Sequence, residues 1–166
     1  MNRAAALAGA AALIAGMAVS VRGQEVSSPG VMPELRADVL FGRQSAAQIG
    51  AGVQIPFGYY VRLGLDGAVG VRLGEGGGSR SRADARADLL TRFLLDPFRQ
   101  SRYGLSLGGG IGVRAEPGDH VRPVLLAAVD VEGARWSSGW VPALQVGLGG
   151  GARAGIMLRR GTLRAR

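Results

Sequence analysis

Leu63 to Leu73 reads Leu-Gly-Leu-Asp-Gly-Ala-Val-Gly-Val-Arg-Leu. With Val61 and Arg62 it keeps a beat of two: Val61, Leu63, Leu65, Val69, Val71 and Leu73 fall on odd positions, while Arg62, Asp66 and Arg72 take even ones. Successive side chains of an extended chain point to opposite faces, so this stretch is a strand with one apolar face and one small or charged face.

The same beat recurs on both sides. Upstream, Leu35, Ala37, Val39 and Phe41 alternate with Glu34, Arg36 and Asp38, and Ile49, Ala51, Val53 and Ile55 alternate with Gln48, Gly50, Gly52 and Gln54. Pro56, Phe57 and Gly58 turn the chain into the opening strand. Downstream, Glu75 to Ser81 reads as a loop. Arg82 to Leu95 then sets Ala83, Ala85, Ala87, Leu89, Thr91, Phe93 and Leu95 against Arg82, Asp84, Arg86, Asp88 and Arg92. That segment also suits a helix, because Ala, Arg and Leu are strong helix formers and Leu89, Leu90, Phe93 and Leu94 fit helical spacing.

A fifth strand is marked by Tyr103, Leu105, Leu107, Ile111 and Val113, backed by glycines and Arg114. Glu116 to Asp119 turns the chain. In a sixth, Val121, Leu125, Ala127, Val129 and Val131 lie opposite Arg122, Asp130 and Glu132, weakened locally by Pro123. Trp140, Leu144, Val146 and Leu148 make a seventh. Ala152, Ala154, Ile156 and Leu158, against Arg153 and Arg159, make an eighth, with Gly149 to Gly151 as the hairpin. Parity is unbroken from 140 to 158, so one long strand, and a total of seven, is the competing count.

At 166 residues the chain is long enough for one domain with a real core. Its 29 glycines follow no three-residue repeat and sit inside apolar segments, which excludes collagen and points to packing or turns. Met1 to Gly23 is laid out as a secretory signal, with Arg3, an apolar run from Ala4 to Val19, and cleavage expected after Ser20 or Gly23. Residues 24–32 form a polar lead, and 33–166 the barrel domain.

The absence of cysteine rules out disulfides and thiolate metal sites. The net charge of +8 falls to +6 if Arg3 and Arg22 leave with the signal. The basic residues are arginines interleaved with acids and not clustered with stacking aromatics, which argues against a nucleic-acid partner.

Catalytic chemistry finds little support. His120, the one histidine, stands beside Asp119 at a strand start with no nucleophile in an arrangement suited to hydrolysis, and reads as a rim residue. Asp84 and Asp88 could form an acid and base pair, but Arg82, Arg86 and Arg92 alternate around them and ion pairing accounts for both. Gly147 to Gly155 is no phosphate loop: the chain has no lysine, and too little sequence follows for a dinucleotide fold. No cofactor, catalytic residue or metal ligand is expected.

Alternation alone does not say which face is outside. Two features favour an apolar exterior. Glycine beside charge suits the cramped lumen of a narrow barrel, and Phe57, Tyr59, Phe93, Tyr103 and Trp140 fall on the apolar face at one set of strand ends, with Phe41 at the other. On these features, from about residue 33 to 160, the chain resembles the small eight-stranded outer-membrane barrels of the OmpA and OmpX type. It departs from them at its end, where Thr162, Leu163, Arg164, Ala165 and Arg166 stand in place of the usual terminal aromatic.

The resemblance implies an all-β, antiparallel up-and-down barrel in the bacterial outer membrane, with the lipid bilayer as partner and a structural or interaction role. The alternative is a soluble periplasmic, lipocalin-like barrel that binds an apolar ligand in its lumen. Candidate lumen charges are Arg36, Asp38, Arg62, Asp66, Arg72, Asp84, Arg86, Asp88, Arg92, Arg122 and Asp130. Avoiding like charges opposite one another sets the expected register of the third and fourth strands, with Arg72 facing Asp84.

Overall fold

The computed structural model describes residues 30–42, 45–73, 83–98, 102–115 and 121–160. The signal segment, most of the polar lead, the loop at 75–81 and His120 lie outside the described residues. Eight strands run β1 (Met32–Phe41), β2 (Ser45–Phe57), β3 (Val61–Leu73), β4 (Ala83–Leu94), β5 (Gly104–Ala115), β6 (Arg122–Glu132), β7 (Trp140–Leu148) and β8 (Ala152–Arg160). Each pairs antiparallel with the next and β8 closes on β1, giving an up-and-down barrel.

The two-residue beat marks the strands. The segment with helical composition is β4, a strand paired with β3 on one side and β5 on the other, which turns Asp84, Arg86, Asp88 and Arg92 inward together with Leu90 and sends Leu89 and Phe93 outward. Between β7 and β8 the parity continues unbroken, yet Gly149, Gly150 and Gly151 turn the chain: Gly150 sits at φ 71°, where a side chain would be strained, and Gly149 N–H donates to the Gly151 carbonyl at 2.9 Å. Pro123 is tolerated because β7 pairs with β6 only from Ala127 onward, so the proline's missing N–H breaks no ladder on that side.

One expectation fails. Gly70, not Arg72, faces Asp84, and the same register puts Asp66 opposite Asp88 and Arg62 opposite Arg92. The pairwise rule assumes that a charge has only its cross-strand partner to answer to. In a closed, narrow barrel it also meets side chains from the opposite wall, and those contacts neutralise the like pairs.

Every strand turns its apolar face outward. Along the outward positions from Pro33 to Leu158 there is no charged side chain, and the first one met is Arg160 at the end of β8. Large aliphatics stand in the open on this surface, Leu125 82% exposed and Ile49 69%. The aromatic residues gather at the end of the barrel that holds Met32 and Arg160, the termini end: Phe57, Tyr59, Tyr60, Phe93, Phe98, Tyr103 and Trp136 are all exposed there, and Phe98 packs on both tyrosines of the β2–β3 turn with ring centroids 6.2 Å apart. Phe41 alone lies at the far end.

Candidate functional site

Inward, the strands contribute one continuous charged network. It exists because glycine clears space for it: Asp38 faces Gly155, Asp66 faces Gly52 and Asp88 faces Gly112 on adjoining strands. A Cβ added at those glycines would come within 2.0, 2.2 and 2.4 Å of the respective carboxylate oxygens. Gly64 makes the same allowance for Arg92, whose Nη1 would be 2.2 Å from a Cβ there.

The arginines reach across the lumen. Arg36 donates from Nε to Asp38 at 2.8 Å, from Nη1 to Asp66 on β3 at 2.7 Å and from Nη2 to Gln145 on β7 at 2.7 Å. Arg159 holds three carboxylates, Glu34 on β1 and Asp130 and Glu132 on β6, each at 2.7 Å. Arg92 donates to Asp130 at 2.9 Å and lies 3.4 Å from Asp66, while Arg62 reaches Glu132 at 2.6 Å. Toward the far end, Arg153 on β8 spans to Asp88 on β4 at 2.7 Å, Arg86 bonds Asp38, and Arg114 grips both oxygens of Asp84 at 3.0 and 2.9 Å.

Gln145 ties the halves together, accepting from Arg36 and Arg153 and donating to Asp130. These contacts explain the tolerated like pairs. Asp66 and Asp88 are each held by arginine from another wall, and Arg62 and Arg92 by the acids of β6.

Isolated charges do not survive in such a place. Arg92 and Arg159 are 1% and 2% exposed, and removing one partner of a buried pair costs about 3–5 kcal/mol because the survivor is stranded. The lumen is therefore crossed and filled by side chains. Among its apolar members, Leu90, Leu126 and Ala128, with Val124 against them, form a small cluster inside the wall where β6 outruns β7.

Of the residues singled out from sequence, Arg36, Asp38, Asp66, Asp84, Arg86, Asp88, Arg92 and Asp130 are brought together and buried. Arg62 is partly buried on Glu132, Arg72 is half-buried near the far end, and Arg122 is exposed at the far rim as the first residue of β6. Glu34, Arg114, Glu132, Arg153 and Arg159 belong to the same network without having been singled out, and so do Gln48, Gln54 and Gln145. Their signal was the one already in use, a polar residue on the glycine-bearing parity of a strand.

Asp84 and Asp88 are held by different arginines. Asp84 accepts from Arg114 and Gln48, and Asp88 from Arg153. Among the described residues no group of three or more His, Asp or Glu is placed to hold a metal ion. Gly147 to Gly155 is the end of β7, a turn and the start of β8. The arrangement suits holding a barrel in register and closing its lumen. No protein-family model matches the chain, and no curated protein matches it in sequence.

Proposed function

We propose that this chain is an integral β-barrel of the bacterial outer membrane, with a structural or interaction role, no catalysis and a lumen closed by ion pairs. The observation that carries this reading is the inverted distribution of polarity: a belt of exposed aliphatic side chains without charge surrounds a core of arginines and carboxylates. In water such a belt is an aggregation surface. In hydrocarbon it is the favourable face, and a closed barrel leaves no backbone edge unpaired. The aromatic collar at the termini end fits a headgroup boundary, where amphipathic rings settle.

A soluble lipocalin-like barrel would need the reverse arrangement, an apolar lumen and a polar exterior. Here the lumen positions carry the charges, so an apolar ligand would have to displace an ion-pair network. The proposed lack of catalysis rests on the carboxylates, which are held by guanidinium or amide groups and so are poorly disposed to act as base or nucleophile.

Cell fractionation together with gel migration tests the proposal. The full chain is expected in the membrane fraction, released by detergent and not by salt, and to run faster unboiled than boiled, as closed barrels do. Recovery in the soluble periplasmic fraction without detergent overturns it.

A further inference from the structure

The charge-free outer wall ends at one corner. Arg160, the last residue of β8, is exposed and is the single charged side chain on the outward positions of the eight strands. It faces Trp140, the first residue of β7, and directly opposed residues bring their Cβ atoms to about 4.5–5.5 Å.

A hairpin adds to this corner. Trp136 N–H donates to the Trp140 carbonyl and Gly133 N–H to the Pro142 carbonyl, each at 2.8 Å, and Gly139 closes the turn at φ 85°. Arg135 and Trp136, both exposed, are thereby held over the start of β7. Both of the protein's tryptophans and two of its arginines thus share one short stretch of the termini-end rim.

Below the corner the wall is hollowed. On β1, Ala37 stands between Ile49 of β2 and Ile156 of β8, and Val39 stands between Ala47 and Ala154. The three alanines leave an apolar depression of about 700 Å³, banked by the isoleucines. Ile156 and Ala154 lie four and six residues from Arg160. On a strand tilted by about 40° that is a drop of about 10–15 Å, within the roughly 15 Å that one leaflet contributes to the hydrocarbon core.

A cation at the headgroup boundary above an apolar hollow at acyl depth matches one kind of molecule. Guanidinium forks fit phosphate oxygens, and no carboxylate on the outward strand positions competes for Arg160. We infer that the seam of β7, β8 and β1 is a docking site for an anionic phospholipid. Arg160 takes the headgroup phosphate, Arg135 adds a second charge, and the hollow at Ala37 and Ala154 takes part of an acyl chain. Such a site rests on the membrane location proposed for this chain and adds the lipid chemistry that the wall selects.

The two tryptophans report on the site directly. The full chain is folded into phosphatidylcholine vesicles that hold a minor fraction of brominated phosphatidylglycerol or brominated phosphatidylcholine, the bromines near the glycerol end of an acyl chain. Quenching of tryptophan fluorescence is then compared. Phosphatidylglycerol should quench at an about fivefold lower fraction, the worth of one arginine near an anionic headgroup. Arg160→Gln should bring the two lipids close to level, and Arg135→Gln should narrow the difference. Ala37→Leu, which fills the hollow, should narrow it without altering charge. Arg102→Gln, at an exposed position before β5 and about 14 Å along the wall, should change nothing.

Equal quenching by the two lipids overturns the site while leaving the barrel in the membrane. A preference lost as readily with Arg102→Gln as with Arg160→Gln also overturns it, since that marks diffuse charge attraction. Quenching by both lipids that falls as protein is concentrated in the bilayer assigns the hollow to a second copy of the chain and overturns the lipid. No quenching by either lipid removes the membrane location together with the site. Arg160→Gln changes an exposed side chain at a strand end, and gel migration of unboiled samples verifies that each variant is folded.

Discussion

On β3, Val69 points out of the barrel and Asp66 points in, and the two faces they represent obey opposite rules. Outside, residues make few specific contacts: Val69, Ile49 and Leu125 stand exposed, and what counts is the solvent they meet. Inside, partners decide everything. Asp66 is 2% exposed and is held by Arg36 and Arg92 from two other strands. One face is tolerant of any apolar side chain, and the other is a set of mutually dependent charges in which each deletion strands a neighbour.

The inner face should break first. Arg159→Ala removes the shared partner of Glu34, Asp130 and Glu132. Urea unfolding of the barrel in detergent should show a loss of about 3–5 kcal/mol, the cost of leaving buried charge unpaired. A loss near zero would mean that water, and not arginine, stabilises those acids.

The outer face should respond by depth. Val69→Arg, near mid-strand, should cost about 2–4 kcal/mol when the barrel folds into vesicles, and Leu73→Arg, at the end of β3, about 0–1 kcal/mol. Equal and negligible costs would place the outer wall in water. Arginine at neighbouring Ala68 is a poor control, although sequence parity alone makes it the obvious one: Ala68 is 2% exposed inside a filled lumen, and overpacking would obscure the comparison.

The boundary between the faces can be probed through the lumen glycines. Gly155→Ala puts a methyl 2.0 Å from an Asp38 oxygen and 3.0 Å from the Ala37 carbonyl oxygen. Equilibrium unfolding should register a loss of about 1–3 kcal/mol, the range for overpacking. An unchanged midpoint would show that Asp38 can swing away without losing Arg36.

The gentlest test alters neither polarity nor volume greatly. Cysteines replacing the outward pair Leu65 and Leu89 should cross-link on mild oxidation, since the two residues face each other, whereas cysteines at 65 and 91 should not. Cross-linking of the second pair alone would restore the register with Arg72 opposite Asp84 and undo the account of like charges given above.

How far sequence reaches is clearest on β3 and β4. The bounds of β3, Val61 to Leu73, and the direction of each of its side chains follow from alternation, because the pleat assigns neighbours to opposite faces whatever else the chain does. For β4 the same alternation stood against helix-forming composition, and only pairing with β3 and β5 settled it. The glycine-rich polar face was legible as a lumen, and the structure gives the reason carboxylate by carboxylate, at Gly52, Gly112 and Gly155.

By itself, then, the sequence determined that most of this protein is a series of two-faced strands and which residues of each share a face, since those properties are local to the backbone. Tertiary structure alone decided that β4 is a strand, that Asp66 can face Asp88, that Arg159 joins three acids of two strands, and that Arg86, Arg114 and Arg122 stand side by side on β4, β5 and β6. Long arginine side chains span a narrow lumen, so their partners are set by the curvature and stagger of a closed wall, and no spacing along the chain encodes who stands across it.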